Sequence, residues 1–167
     1  MRLVAVRAPA GTHWDAGHYR SAVADAATNV SQYTQKRLGR YDISEKDLMC
    51  QAFTPKPPKP GEPRLRCPGN PKSQTVQSQQ EGAMLFAMGA YAALRNPANH
   101  LTGDWNPVTA FHYLAAFSIV VEWVKHWDVV YAAPVTIEQA RWSPRSRRLR
   151  RHLKSAGAGR PSEVMAT

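Results

Sequence analysis

The sequence predicts an all-α fold: a bundle of about four helices, interrupted by a long proline-rich loop and followed by a basic C-terminal tail. Three observations carry that expectation. Apolar side chains recur at three- and four-residue intervals through several stretches, which lines one face of a helix. Seven prolines crowd between Pro55 and Pro71, apart from those stretches. No segment alternates polar and apolar residues cleanly enough for a half-buried strand. Residues 1–14 are expected to be an N-terminal extension, 15–132 the helical domain and 133–167 the tail.

The first helix is expected over residues 15–37, where Tyr19, Ala22, Val23, Ala26, Val30 and Tyr33 share a stripe. Asp15 is placed to cap its start and Gly39 to stop it. Ser44, followed by Glu45 and Asp47, opens a short second helix ending near Phe53. Residues 54–72 cannot be helix or central strand, because proline lacks a backbone donor and fixes φ, and they read as an extended loop. A spacer or flap is the simpler role for that loop; a polyproline II ligand for an SH3-like partner is the alternative.

Ser73 to Leu94 contains no proline and is small or apolar in its second half, the pattern of a helix buried on several sides. Gly82 and Gly89 fall on nearly one face and admit close approach of another helix, within the chain or across a dimer. The last helix has Asn106 as its cap and Pro107 at its first position, and runs to about Val130 through Phe111, Leu114, Ile119, Val120, Trp123 and Trp127.

With 167 residues the chain is one domain of ordinary size plus tails, which excludes a large multidomain enzyme. Its formal net charge of +10 is unevenly spread. Eight basic residues and no acid lie between Arg141 and Arg160, whereas residues 1–140 hold 14 basic against 11 acidic residues, a net +3. A nearly neutral domain therefore carries a cationic tail. Cys50 and Cys67 are isolated thiols, as in a reduced protein of the cytoplasm. Arg7 interrupts the apolar run at the start, and the stretch from 101 to 121 is broken by Asp104. Neither a signal peptide nor a membrane span is expected, so the protein is read as soluble and cytoplasmic. Glycine-rich phosphate loops, nucleophile elbows and zinc-type histidine spacings are absent, which sets aside NTPases, α/β-hydrolases, metal sites and cofactors.

Arg95-Asn96-Pro97-Ala98-Asn99-His100 lies between the two strongest helices. It puts a fixed positive charge and a titratable imidazole near one helix terminus, and if the segment stays helical the two side chains are expected to share a face. The pair suits phosphoryl chemistry: histidine moves protons near neutral pH, and arginine offers a planar fork of donors to a phosphate whose charge grows in the transition state. The same residues could equally complement a helix dipole and cap a carbonyl. His112, on an apolar helix, is expected to be a hydrogen-bonded core residue. Trp105, Trp123 and Trp127 are expected in the core or an interface.

RNPANH, preceded by LFAMGAYAAL and followed by a capped apolar helix, resembles the Arg-x4-6-His signature of the HEPN superfamily. GHYRSAVADAATNV, LMCQAFTPKPP, EGAMLFAMGAYAALRNPANH and FHYLAAFSIVVEWVKHWD, in that order, resemble segments of its Ymh-like branch of bacterial and phage proteins. The resemblance implies a helical domain that forms a homodimer and brings two Arg/His pairs to one cleft. Active members are metal-independent RNases, often toxins or effectors of antiphage and stress systems, so an antitoxin or defence-system protein is a possible partner. Carried over, Arg95 stabilises phosphate charge, Asn96 orients the site and His100 acts as general acid or base. Members of this branch often have an acid directly after the histidine, where this chain has Leu101; Asp104 is the nearby acid that could replace it. The alternative expectation is a non-catalytic HEPN-like module that binds RNA or a protein.

In the tail, Arg141, Arg145, Arg147, Arg148, Arg150, Arg151 and Lys154 have the charge density of an RNA-binding arm, whose affinity falls steeply with salt. A solvated tail is the simpler reading.

Overall fold

A computed structural model describes residues 11–134, and helices dominate it. Helix α1 spans Tyr19–Leu38, α2 Glu45–Phe53, α3 Gln74–Ala90, α4 Asn96–His100 and α5 Pro107–His126. Two short strands, β1 (Arg64–Arg66) and β2 (Asp128–Val130), complete the described elements. The all-α expectation holds, with one helix more than foreseen and a strand pair in addition.

Of the stripe foreseen in α1, Ala22, Val23, Ala26 and Val30 are buried and Tyr19 is half-buried, whereas Tyr33 is exposed and Ala27 joins the buried face instead. Gly39 ends the helix in the left-handed conformation, φ 65°, with its N–H returned to the Gln35 carbonyl. The start is corrected. Asp15 belongs to a separate helical turn over residues 11–15, Gly17 breaks the chain at φ 79°, and α1 begins at Tyr19. Trp14 packs edge-on against Tyr19 at 4.9 Å, so the end of the supposed extension joins the core.

Ser44 stands at the start of α2 in extended conformation, yet its side chain caps nothing. The N–H of Glu45 goes instead to the Ser31 hydroxyl on α1, 2.9 Å away. Glu45 itself has φ 53°, a conformation that costs a side-chain-bearing residue about 1–2 kcal/mol.

The proline-rich stretch is not wholly extended loop. Its proline-free piece, Arg64–Arg66, pairs antiparallel with Asp128–Val130, placing Leu65 opposite Val129. Side chains do much of the ordering. The Arg66 guanidinium holds the carbonyls of Thr54 (2.7 Å) and Lys56 (2.6 Å), and the buried Gln80 amide donates to Phe53 and Leu65 carbonyls while accepting from the Cys67 N–H. The last helix accordingly stops at His126 rather than near Val130, where Arg37 takes the carbonyls of Lys125 and Trp127. That guanidinium supplies the cation a helix C-terminus favours.

The core lies where α1 packs on α5 and α2 on α3. Phe53 meets Trp127 at 5.4 Å and Tyr91 meets Phe117 at 5.4 Å, each edge to face. Burying each such ring contributes about 1.5–3 kcal/mol. Tyr91 also donates its hydroxyl to the Ala27 carbonyl at 2.8 Å, which meets its hydrogen-bonding need without water.

Helix α5 is one-sided. Ala110, Phe117, Val120, Val121 and Val124 are buried, whereas Val108, Phe111 and Ile119 are exposed. By length and composition alone it is long and apolar enough to cross a membrane, as core helices also can be, and 28% of its most apolar window is buried in the fold.

Candidate functional site

Helix α3 does not end before the Arg-Asn-Pro motif. The backbone continues through a wide turn, Tyr91–Arg95, in which the Asn96 N–H reaches back five residues to the Tyr91 carbonyl, and then into α4. Pro97 explains the widening. It has no N–H to give the Ala93 carbonyl, and its ring would collide with that oxygen in a regular α-helix. An extra residue in the turn moves the carbonyl aside while the helix keeps its direction. Arg95 is the last residue of this wide turn.

Continuous helix changes which side chains meet. At 3.6 residues per turn, positions five apart are rotated by about 140°, while positions four apart are neighbours. Asn99, not His100, is therefore beside Arg95. With its amide oriented by these contacts, the Asn99 oxygen lies 3.0 Å from Nη2, 3.1 Å from Nη1 and 3.2 Å from Nε of Arg95. Nη2 also pairs with Glu45, the first residue of α2. The pair is largely sheltered, with side-chain exposures of 20% for Arg95 and 30% for Glu45. Tyr91 lies below. Burial raises its phenol well above the ordinary range, and the Glu45 charge adds to the shift while Arg95 opposes it.

Asn96 and His100 are exposed at the end of the segment, and neither side chain is hydrogen-bonded among the described residues. The helix end beneath His100 is held by Arg20, whose guanidinium donates to the carbonyls of Ala98 and Gly103. A cation is thus fixed at the negative end of α4.

Asp104 does not bond to His100. One of its oxygens accepts the Arg20 N–H (2.8 Å) and the Trp105 N–H (2.8 Å), and the other faces His18 at 3.7 Å. The first of these bonds is the main reason its carboxyl is held below the ordinary 3.8, with Trp105 and the charges of His18 and Arg20 adding to it. Asp104 thereby does for α1 what Asp15 was expected to do. Leu101 follows the motif as an exposed side chain, and only its backbone N–H is engaged, on the Pro97 carbonyl.

Of the other expectations, His112 is corrected: it is exposed on α5 beside Phe111 rather than in the core. Trp127 is buried, and Trp105 and Trp123 are half-buried on the core. Arg141, Arg145, Arg147, Arg148, Arg150, Arg151 and Lys154 lie outside the described residues. Among the described residues, no three His, Cys, Asp or Glu side chains gather as a metal-binding group. Sequence reading missed Glu45, Asn99 and Arg20 as parts of this site. Only Asn99 left a direct signal, since it is four residues beyond Arg95 in a segment that stays helical.

Fold and motif together define a class: a helical domain that presents an Arg-Asn-x-x-x-His helix end on its surface. The particular family follows from a match over residues 4–124 to the model described as "Protein of unknown function (Hypoth_ymh)", and the chain belongs to that family. No curated protein and no solved structure matches the chain.

Proposed function

We propose that the chain is a metal-independent HEPN-type endoribonuclease that works in the cytoplasm as a homodimer, with the role of a toxin or antiphage effector. The observation that carries this reading is Arg95, held by Glu45 and Asn99 on the same helix end that leaves His100 open to solvent. A sheltered guanidinium can meet the charge that grows on a phosphate, and an exposed imidazole can exchange protons with RNA. Asn96, exposed beside them, would orient the sugar or phosphate.

The reaction is a transesterification. One His100 takes the proton of a 2′-hydroxyl, the 2′-oxygen attacks the adjacent phosphorus, and the bond to the 5′-oxygen breaks. A second imidazole gives that oxygen its proton, leaving a 2′,3′-cyclic phosphate and a free 5′-hydroxyl. Arg95 stabilises the charge on the phosphorane oxygens. Each chain supplies one His100, so two protomers account for both proton transfers.

The exposed faces of α3 and α5 favour the dimer. Leu85, Phe86, Phe111 and Ile119 are exposed, and Phe86 on α3 meets Trp123 on α5 edge to face at 5.6 Å. A methyl group placed on Gly82 or Gly89 meets nothing within 4 Å, so neither glycine is required by packing inside the chain. Large apolar side chains left in solvent on two neighbouring helices support a role as an interaction surface. The basic tail would add phosphate contacts and raise local RNA concentration.

One observation favours the second reading, a non-catalytic module that binds RNA or a protein: Leu101 stands after His100 and Asp104 is committed to Arg20, so no carboxylate orients the imidazole. Induced expression in a bacterial host separates the two. The nuclease reading expects growth arrest by the wild-type chain and none by Arg95→Ala; equal tolerance of both contradicts it.

A further inference from the structure

We infer that Glu45 is a positioning residue: its carboxylate fixes the Arg95 guanidinium for phosphate, an inference that rests on the reading of Arg95 given above. Glu45 reaches the site from α2, far along the chain from the motif, and three features single it out. First, its ion pair with Arg95 is partly sheltered and joins elements remote in the chain, whereas the comparably sheltered pair of Arg64 with Glu62 is local. Second, Asn99 closes on the guanidinium from α4, so Arg95 is gripped by two separate elements. Third, Glu45 keeps a carboxylate at φ 53°, a backbone conformation that glycine or asparagine adopts more readily. Strain of this kind persists where the surroundings over-determine it, here through the Ser31 hydroxyl on the Glu45 N–H, and it collects at functional sites.

An acid beside a phosphate site repels RNA, so Glu45 makes no sense as a contact of its own. Its use runs through Arg95, and the two roles have opposite signs. A bystander acid, once neutralised, lets RNA bind more tightly. A positioning acid, once neutralised, frees the guanidinium to wander, and misplacement of about 1 Å can cost on the order of a hundredfold in rate.

The test uses the full chain and a 5′-labelled single-stranded RNA oligonucleotide in EDTA, with Glu45→Gln and Glu45→Gly made with and without Arg95→Ala. Both variants should lose about ten- to a hundredfold in kcat, a larger change than in KM. Glu45→Gly relieves the backbone and should not lower Tm, which separates the effect from misfolding. RNA affinity, read in His100→Ala protein so that nothing is cut, gives a second measure: Glu45→Gln should weaken binding when Arg95 is present and lose that effect with Arg95→Ala. Tighter binding by the same factor on both backgrounds overturns the inference. A chain that binds without cutting, but shows the coupling, removes the nuclease reading and leaves Glu45 in its role. Cutting without coupling does the reverse.

Discussion

Single side chains settle how the two ends of the site are held, and Asp104 is the plainest case. It accepts the Arg20 N–H at the start of α1 while the Arg20 side chain closes the end of α4, so one acid and one cation join two helix termini. Because its carboxyl is held below the ordinary 3.8, it stays ionised in the fold where the unfolded chain would already be protonated. Its stabilisation is therefore present above about pH 4 and lost as pH falls through the lower folded value. Asp104→Asn should lower Tm at neutral pH, and the gap to wild type should shrink in melts taken at successively lower pH down to about pH 2. A gap that stays constant with pH would show that the charge of Asp104 contributes nothing. Arg95 and His100 were legible in the sequence because the motif is contiguous. Glu45 and Arg20 were not, because each arrives from an element remote in the chain and neither belongs to a pattern of spacing.

Elements were legible to the extent that periodicity governs them. The buried stripe of α1, the stop at Gly39 and the Asn106 cap, whose side chain accepts the Val108 N–H, followed from residue type and spacing. The strands did not. Arg64-Leu65-Arg66 is three residues long and highly charged, and it pairs with β2 where side chains of Arg66 and Gln80 secure the backbone on either side. The wide turn at Tyr91–Arg95 was foreseeable only as a disturbance one turn before Pro97. For α3 the open question was what its glycines serve. Gly89→Ala should gain about 1 kcal/mol of helix stability, since the new methyl has room within the chain. Thermal melts at concentrations where the chain is monomeric read that gain. If the glycine admits a second protomer, sedimentation should show the same variant associating more weakly. A raised Tm with unchanged association would place the interface elsewhere.

At the scale of the whole molecule, a nearly neutral helical domain carries the proposed site on one helix end, while most of the excess charge lies in the tail. On the proposed reading, net charge bears on attraction to RNA and not on cleavage. Exposed apolar side chains stand on α3 (Leu85, Phe86) and on α5 (Phe111, Ile119), and the proposed dimer would use them to bring two imidazoles together. The measurement that tests this most directly is cleavage of single-stranded RNA in EDTA by wild type and by His100→Ala, with Tm recorded for both. Wild type should leave 2′,3′-cyclic phosphate ends, and His100→Ala should fall by at least about a hundredfold with Tm unchanged. Equal cleavage by the two proteins, or none by wild type, would contradict the assignment.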